Sequence, residues 1–171
     1  MAAFAQVTDT DFTHLRRCIA LARESVEAGD EPFGSVLVAN SDPAKVLAED
    51  RNRINTLNDA TYHPEIKLAQ WAQKNISEPA ERAATTMYTS GEHCPMCSAA
   101  HAWCGLGRIV YVASGKQLVG WMGDSSPSPV AGLSINEVAP KIEVVGPVRE
   151  LGSEIRDLHF ERRRRRYDNG K

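Results

Sequence analysis

The sequence predicts an α/β fold built on a mixed five-stranded sheet, and three features carry that expectation. Segments whose apolar residues recur at steps of three and four alternate with short β-rich runs. The first two runs are parted only by Ser41-Asp42-Pro43, which predicts an antiparallel hairpin. The later runs are parted by helix-length segments, so right-handed crossovers and a parallel portion of the sheet follow.

Taken in order, Phe12, Leu15, Ile19, Ala22 and Val26 set a first helix from about Thr10 to Ala28, stopped by Gly29. Phe33 to Ala39 and Val46 to Arg51 are the hairpin strands. A helix over His63 to Asn75 starts on Pro64, whose missing N–H is not needed there. Thr85 to Thr89 reads as a buried strand, Cys94 to Cys104 as a helix and Arg108 to Ala113 as a strand. Residues 115–140 are loop-rich: Gly120 to Gly132, with Ser125-Ser126-Pro127-Ser128-Pro129, reads as a surface loop or lid, and Trp121 either caps a pocket or pins this loop to the core. Ile142 to Val145 is the last strand. Arg149 to about Arg166 is a terminal helix, and residues 149–171 form a helix and basic tail ending in Arg162-Arg163-Arg164-Arg165-Arg166.

Composition fits one domain over 1–171, with 42% apolar residues and roughly 70% of the unfolded surface buried on folding. Four Cys, two of them in C-x-x-C, with no charged-then-apolar leader, predict reduced thiols and a cytoplasmic location. The longest apolar runs are about five residues, such as Ile109 to Ala113, far short of the ~20 that span a bilayer, so no membrane partner is expected. Net charge is −2; residues from Arg149 onward carry eight Lys/Arg and five Asp/Glu, a local excess of +3.

Two motifs carry chemistry. His63-Pro64-Glu65 and, thirty-one positions after that His, Cys94-Pro95-Met96-Cys97 each stand at a helix start. One imidazole and two thiolates are good zinc ligands, and three protein ligands leave the fourth tetrahedral position for water, as in catalytic sites. The i, i+3 spacing of Cys94 and Cys97 directs both sulfurs one way, at a helix N-terminus that favours anions. Glu65 is then free to handle protons. A competing arrangement uses Cys94, Cys97, His101 and Cys104 as a structural zinc site, but it leaves His63-Pro64-Glu65 unexplained. Otherwise Cys18 and Cys104 read as small core residues and His101 as a supporting histidine. His93 reads as a loop residue or a substrate contact, and His14 and His159 receive no role.

The two motifs resemble the zinc deaminase signature H-x-E followed by P-C-x-x-C, with His93 standing where the pattern has Pro. Glu31-Pro32-Phe33-Gly34-Ser35-Val36, Asn52 within Arg51-Asn52-Arg53, and Asp59-Ala60-Thr61 extend the likeness over about Leu15 to Val112. The chain thus resembles the cytidine deaminase superfamily, in the branch of guanine deaminases and tRNA adenosine deaminases. The resemblance implies a three-layer α/β/α sandwich and a Zn²⁺ cofactor held by His63, Cys94 and Cys97. It also implies Glu65 as proton shuttle and Phe33, Asn52 and Trp103 as substrate contacts, Trp103 by stacking if it faces the pocket and otherwise as a core aromatic. A homodimer is expected as well, in which a flexible link lets the terminal helix dock away from its own core.

An acidic balance disfavours an extended polyanion, because phosphate contacts supply most nucleic-acid affinity. The expected function is therefore hydrolytic deamination of a free nucleobase or related heterocycle such as guanine, cytosine or an amino-triazine, with release of ammonia. A tRNA adenosine deaminase is the alternative, with a nucleoside deaminase third. A nucleic-acid-binding module with a structural zinc, using the arginine tail, is the reading from a different class.

Overall fold

Side chains that alternate along the strands divide the apolar residues between two faces of one sheet. In the computed structural model, which describes residues 7–123 and 128–169, the strands are β1 (Gly34–Ala39), β2 (Val46–Arg51), β3 (Thr85–Gly91), β4 (Arg108–Ala113) and β5 (Val144–Val145). Their order is β2-β1-β3-β4-β5; β1 is antiparallel to β2 and to β3, while β3, β4 and β5 run parallel. The parallel part is thus confined to the second half of the chain. The helices are α1 (Asp9–Glu27), α2 (Pro64–Asn75), α3 (Pro79–Ala83), α4 (Pro95–Trp103), α5 (Gly115–Met122), α6 (Ile135–Val138) and α7 (Gly152–Asn169).

Val36, Val38, Tyr88, Val110 and Val112 pack against Leu15, Cys18, Ile19 and Ala22 of α1 and Ile155 and Leu158 of α7. The intervening Leu37 and Met87 face the other way, against Leu68, Ala69 and Ala72 of α2 and Leu106 after α4. Ile109 and Tyr111 meet Ile135 of α6. Helices therefore cover both faces, and the expected three-layer α/β/α sandwich is the observed one. Close approach is needed where β1 begins: a Cβ on Gly34 would collide with the Cys18 carbonyl and the Leu21 side chain.

Three helices were not anticipated. Pro79–Ala83 is one short turn, whereas α5 and α6 both carry a full capping box, Ser114 with Gln117 and Ser134 with Glu137. The serine followed three residues later by Gln or Glu was a readable start signal within a stretch taken as loop. Of that stretch, residues 124–127 lie outside the described residues. Trp121 pins α5: its ring is half-buried against the α1-side core and 6.3 Å from the His159 ring. The expected last strand is shortened to Val144–Val145, and Ile142 joins the Ile109 cluster instead.

The terminal helix corrects another expectation. Rather than docking away, α7 lies on its own core, with Leu151 just before it and Ile155 and Leu158 within it buried. Arg16–Glu154 at 3.2 Å and Arg23–Glu161 at 3.8 Å add exposed ion pairs to α1. Among the described residues no helix is long and apolar enough to cross a membrane.

Asp11 ties the first turn of α1 to the sheet. Its carboxylate closes the capping box with Thr8, accepts from the Tyr88 hydroxyl at 2.8 Å, and pairs with Arg108 at 2.8 Å. Burial pushes this carboxyl up, but the Arg108, Thr8 and Tyr88 hydrogen bonds outweigh it and hold it at about 2, below the ordinary 3.8. A depressed carboxylate stabilises the fold above its unfolded value, and that contribution disappears as pH falls through the folded one. Asp11→Asn should therefore cost about 2 kcal/mol in urea unfolding at pH 7, and the deficit should shrink between pH 4 and 2. An equal deficit at both ends of that range would show that lost shape, not charge, matters.

Candidate active site

Both motifs are placed by helix starts. His63 is the N-cap of α2, in extended conformation ahead of Pro64, and Cys94 is the N-cap of α4 ahead of Pro95. Each proline disfavours helical dihedrals in the residue before it, which turns His63 and Cys94 outward from the helix axis toward a common point. His63 Nδ1 lies 3.7 Å from Cys94 Sγ and 3.5 Å from Cys97 Sγ, and the sulfurs are 3.5 Å apart. Among the described residues these three form the one group of side chains able to hold a metal ion.

The donor set fits zinc. Tetrahedral Zn–S bonds of about 2.3 Å and Zn–N bonds of about 2.0 Å place two sulfurs about 3.8 Å apart and nitrogen about 3.5 Å from sulfur, close to the observed edges. The competing Cys94, Cys97, His101 and Cys104 site is not formed. Gly107 O accepts from His101 Nε2 at 2.9 Å, which turns that ring away from the thiols. Cys104 packs beside the α2-side core instead.

Electrostatics inside this group are tightly linked. A hydrogen bond from Cys97, then the neighbouring His63, draws the Cys94 thiol down to about 4, while the Cys97 thiol is held high by its bond to Cys94. Burial alone would make His63 less basic, but Cys94 and Glu65 raise it above its ordinary value.

Glu65, 4% exposed, stands beside these ligands: its Oε2 is 3.8 Å from Cys97 Sγ, and its Oε1 accepts from Thr89 at 3.3 Å. Ser35 donates to Thr89 at 3.0 Å, so strands β1 and β3 support the carboxylate through two hydroxyls. Burial pushes its carboxyl above the usual range, more than the His63 charge lowers it. A carboxyl with raised proton affinity is suited to general acid–base work.

The ligands open into a cavity of about 570 Å³ lined in part by Phe33, His63, Glu65, Tyr111, Val119 and His159. It lies where β3 and β4 end and β1 begins, at Gly91, Ala113 and Phe33. A Cβ on Gly91 would stand 2.8 Å from the Phe33 ring, so that glycine leaves room for the aromatic wall. Asn52 sits behind Phe33, joined to it by a backbone hydrogen bond of 2.9 Å. Its Oδ1 accepts from Ile54 N at 3.1 Å, and its buried Nδ2 has no hydrogen-bond partner among the described residues. The loop bearing it is clamped by Asp30, fully buried, which accepts from Arg51, Thr56 and the backbone of Asn55.

Trp103 is elsewhere. It follows Cys97 by six positions, about 240° around the helix at 100° per residue, and sits at the far end of α4. With 89% of its surface exposed it neither faces this cavity nor packs into the core, which corrects both expectations for it. His93 is 1% exposed among the cavity residues, edge-on to His101 at 5.4 Å, with both ring nitrogens unpartnered.

Two contributors were missed from sequence. Glu92 accepts from Gly115 N at 2.9 Å and Ile135 N at 3.3 Å, fastening the starts of α5 and α6 to the cysteine loop. A glutamate next to a ligand motif carried no visible pattern for that task. His159 forms a wall with Phe33, ring centroids 5.2 Å apart. Its signal was the stripe Leu151, Ile155, Leu158 and Arg162, which turns position 159 inward.

Burial holds the His159 imidazole down at about 4. A histidine kept neutral by the fold stabilises above its unfolded value near 6.5 and loses that contribution as pH falls toward 4. Imidazole C–H resonances should therefore show His159 neutral from pH 8 to 5, and a midpoint near 6.5 would mean that the α5–α7 wall stands open in solution.

Comparison with known proteins matches this geometry. The family model described as MafB19-like deaminase matches residues 10–164. A probable cytosine deaminase of Schizosaccharomyces pombe is 28% identical over 149 residues, covering 85% of this chain and 88% of that protein. The guanine deaminase of Bacillus subtilis is 36% identical over 102 residues, 59% of this chain and 63% of that one. tRNA-specific adenosine deaminases are also among the similar proteins. The solved guanine deaminase of Nitrosomonas europaea superposes with a TM-score of 0.71 at 20% identity, over 92% of this chain and 85% of that one, and thereby shows the fold. Sheet order, motif placement and a match over nearly the whole length lead to one assignment: the chain belongs to the MafB19-like deaminase family, within the cytidine deaminase-like fold.

Proposed function

We propose that this chain is a zinc-dependent hydrolytic deaminase of a free nucleobase or closely related heterocycle, replacing an exocyclic amine by a carbonyl and releasing ammonia. One observation carries the reading most of the way: a buried carboxylate, Glu65, lies 3.8 Å from a sulfur of a three-donor group that opens into a base-sized cavity. Zinc, held by His63, Cys94 and Cys97, would supply Lewis acidity that activates water near neutral pH. Glu65 takes the proton released by that water, passes it to the ring nitrogen, and carries the next to the departing ammonia. Its raised proton affinity suits a group that must work in both directions.

Phe33 and His159, edge-to-face with centroids 5.2 Å apart, form one aromatic wall against which the planar ring packs, and the Asn52 amide behind Phe33 offers a donor without a partner among the described residues. Trp103 has no place in this arrangement. The apolar Trp103 surface supports a homodimer, and four unpaired cysteines support a reducing cytoplasmic setting.

Glu65→Gln keeps the shape and should lower ammonia release from the responsive base by at least ~10²-fold while zinc content stays at one per chain. Turnover within a few-fold of the parent would remove Glu65 from the proton path. Elemental analysis of Cys97→Ala should show zinc lost, with Cys104→Ala retaining it; the reverse pattern would move the metal to the other cysteine.

A further inference from the structure

A second chamber, about 560 Å³, opens beside the first and shares Phe33, Leu118, Val119 and His159 with it. Its character is different. Arg162, Arg163 and Arg166 line it together with Glu31 and Tyr167, so three guanidiniums face one carboxylate.

The arginine run divides by helix periodicity. Positions 159, 162, 163, 166 and 167 recur at i, i+3, i+4, i+7 and i+8, one face of α7, and they line the chamber. Arg165 falls on the other side and pairs with Glu161 at 2.6 Å, an ordinary surface contact. Arg162 is the least surface-like of the set. It is 9% exposed, reaches Glu31 at 3.3 Å, and its buried Nε has no hydrogen-bond partner among the described residues. Arg166 lies 3.9 Å from the same Glu31 oxygen, and Arg163 reaches the Met122 carbonyl at 3.4 Å. One carboxylate thus serves two arginines, and net positive charge remains in a walled recess. A buried guanidinium with an open N–H, in a cavity, is suited to a planar or tetrahedral oxyanion.

We infer that this recess is an oxyanion subsite, adjoining the deaminase cavity, that takes a phosphate group. It rests on the reading given above, since His159 links the two chambers. At 1.5 Å per residue, Arg162 and Arg163 lie about 5 Å along α7 from His159, roughly the span of a pentose between a base and its 5′-phosphate. The phosphate arrives either on the substituent of a ribosylated heterocycle or as the free anion beside a free base. A nucleic-acid strand is disfavoured because net charge is −2 and the basic excess is confined to one C-terminal segment, three of whose arginines line this recess.

Inorganic phosphate titrated calorimetrically into the zinc-loaded full chain should bind, and the affinity should fall about tenfold or more in Arg162→Gln. The Arg163→Gln/Arg166→Gln pair, placed nearer solvent, should weaken phosphate likewise without threatening the fold. In parallel, ammonia release is compared across a base, its nucleoside and its 5′-monophosphate. A monophosphate preferred over its nucleoside by tenfold or more, with the preference lost in the double variant, assigns the anion to the substrate. Arginine-dependent phosphate binding without that preference assigns it to the free anion, and the subsite stands even if no heterocycle is deaminated. Phosphate that fails to bind, or binds the variants as well as the parent, overturns the subsite even where base deamination proceeds. Binding confined to oligonucleotides would overturn it too, in favour of a nucleic-acid groove.

Discussion

Three donor atoms from two helices meet only if both helices begin at the same end of the sheet and on the same face. That constraint organises the molecule. α2 follows the antiparallel hairpin through the long 52–63 loop, while α4 follows β3 after only three residues, so their starts converge although His63 and Cys94 are thirty-one positions apart. The proline after each ligand fixes the turn into the helix. Leu68, Ala69 and Ala72 then hold α2 against Leu37 and Met87, and displacing that layer would separate the donors.

The same layer explains why Glu65 can remain an unpaired carboxyl. Strand alternation puts Ser35 and Thr89 on the face that carries Leu37 and Met87, directly beneath the start of α2. Two hydroxyls in series support one carboxylate oxygen, and nothing permanently neutralises the other. An isolated buried charge is costly, which raises proton affinity instead of forbidding burial. A fixed arginine partner would have been more stabilising and less able to exchange protons.

Much of this was legible in the sequence because it depends on local pattern. The grouping of His63, Cys94 and Cys97 beside Glu65, the first helix and four of the five strand cores follow from period, proline position and motif spacing. The failures have separate physical causes. Trp103 was assigned by likeness, whereas helix rotation relative to Cys97 decides where it points, and it points to solvent. The segment from Gly115 to Val138 was read through its Gly and Pro content, which hid two serine capping boxes. Glu92 and His159 act across long sequence separations, Glu92 through backbone N–H groups at 115 and 135 and His159 through an aromatic contact with Phe33. No short-range pattern encodes such contacts. The orientation of α7 is tertiary as well: a flexible connection permits docking near or far, and buried Leu151, Ile155 and Leu158 decide for the chain's own core.

The late elements build the upper part of the site. The floor is made by β1, β3 and the starts of α2 and α4, all within the stretch that shares the deaminase pattern. The walls come from α5, the 128–134 segment and α7, which follow both motifs in the chain and still lie largely within the family match to residue 164. Glu92 couples the two parts, since one carboxylate next to Cys94 fixes the N–H groups that open α5 and α6. The three donors and Glu65 thus stand on one set of elements and the walls on another. The walls contribute His159 and, one helical turn further along, arginines in a recess continuous with the cavity. On the reading proposed above, the floor acts on the exocyclic amine, while α7 meets whatever is attached to the ring.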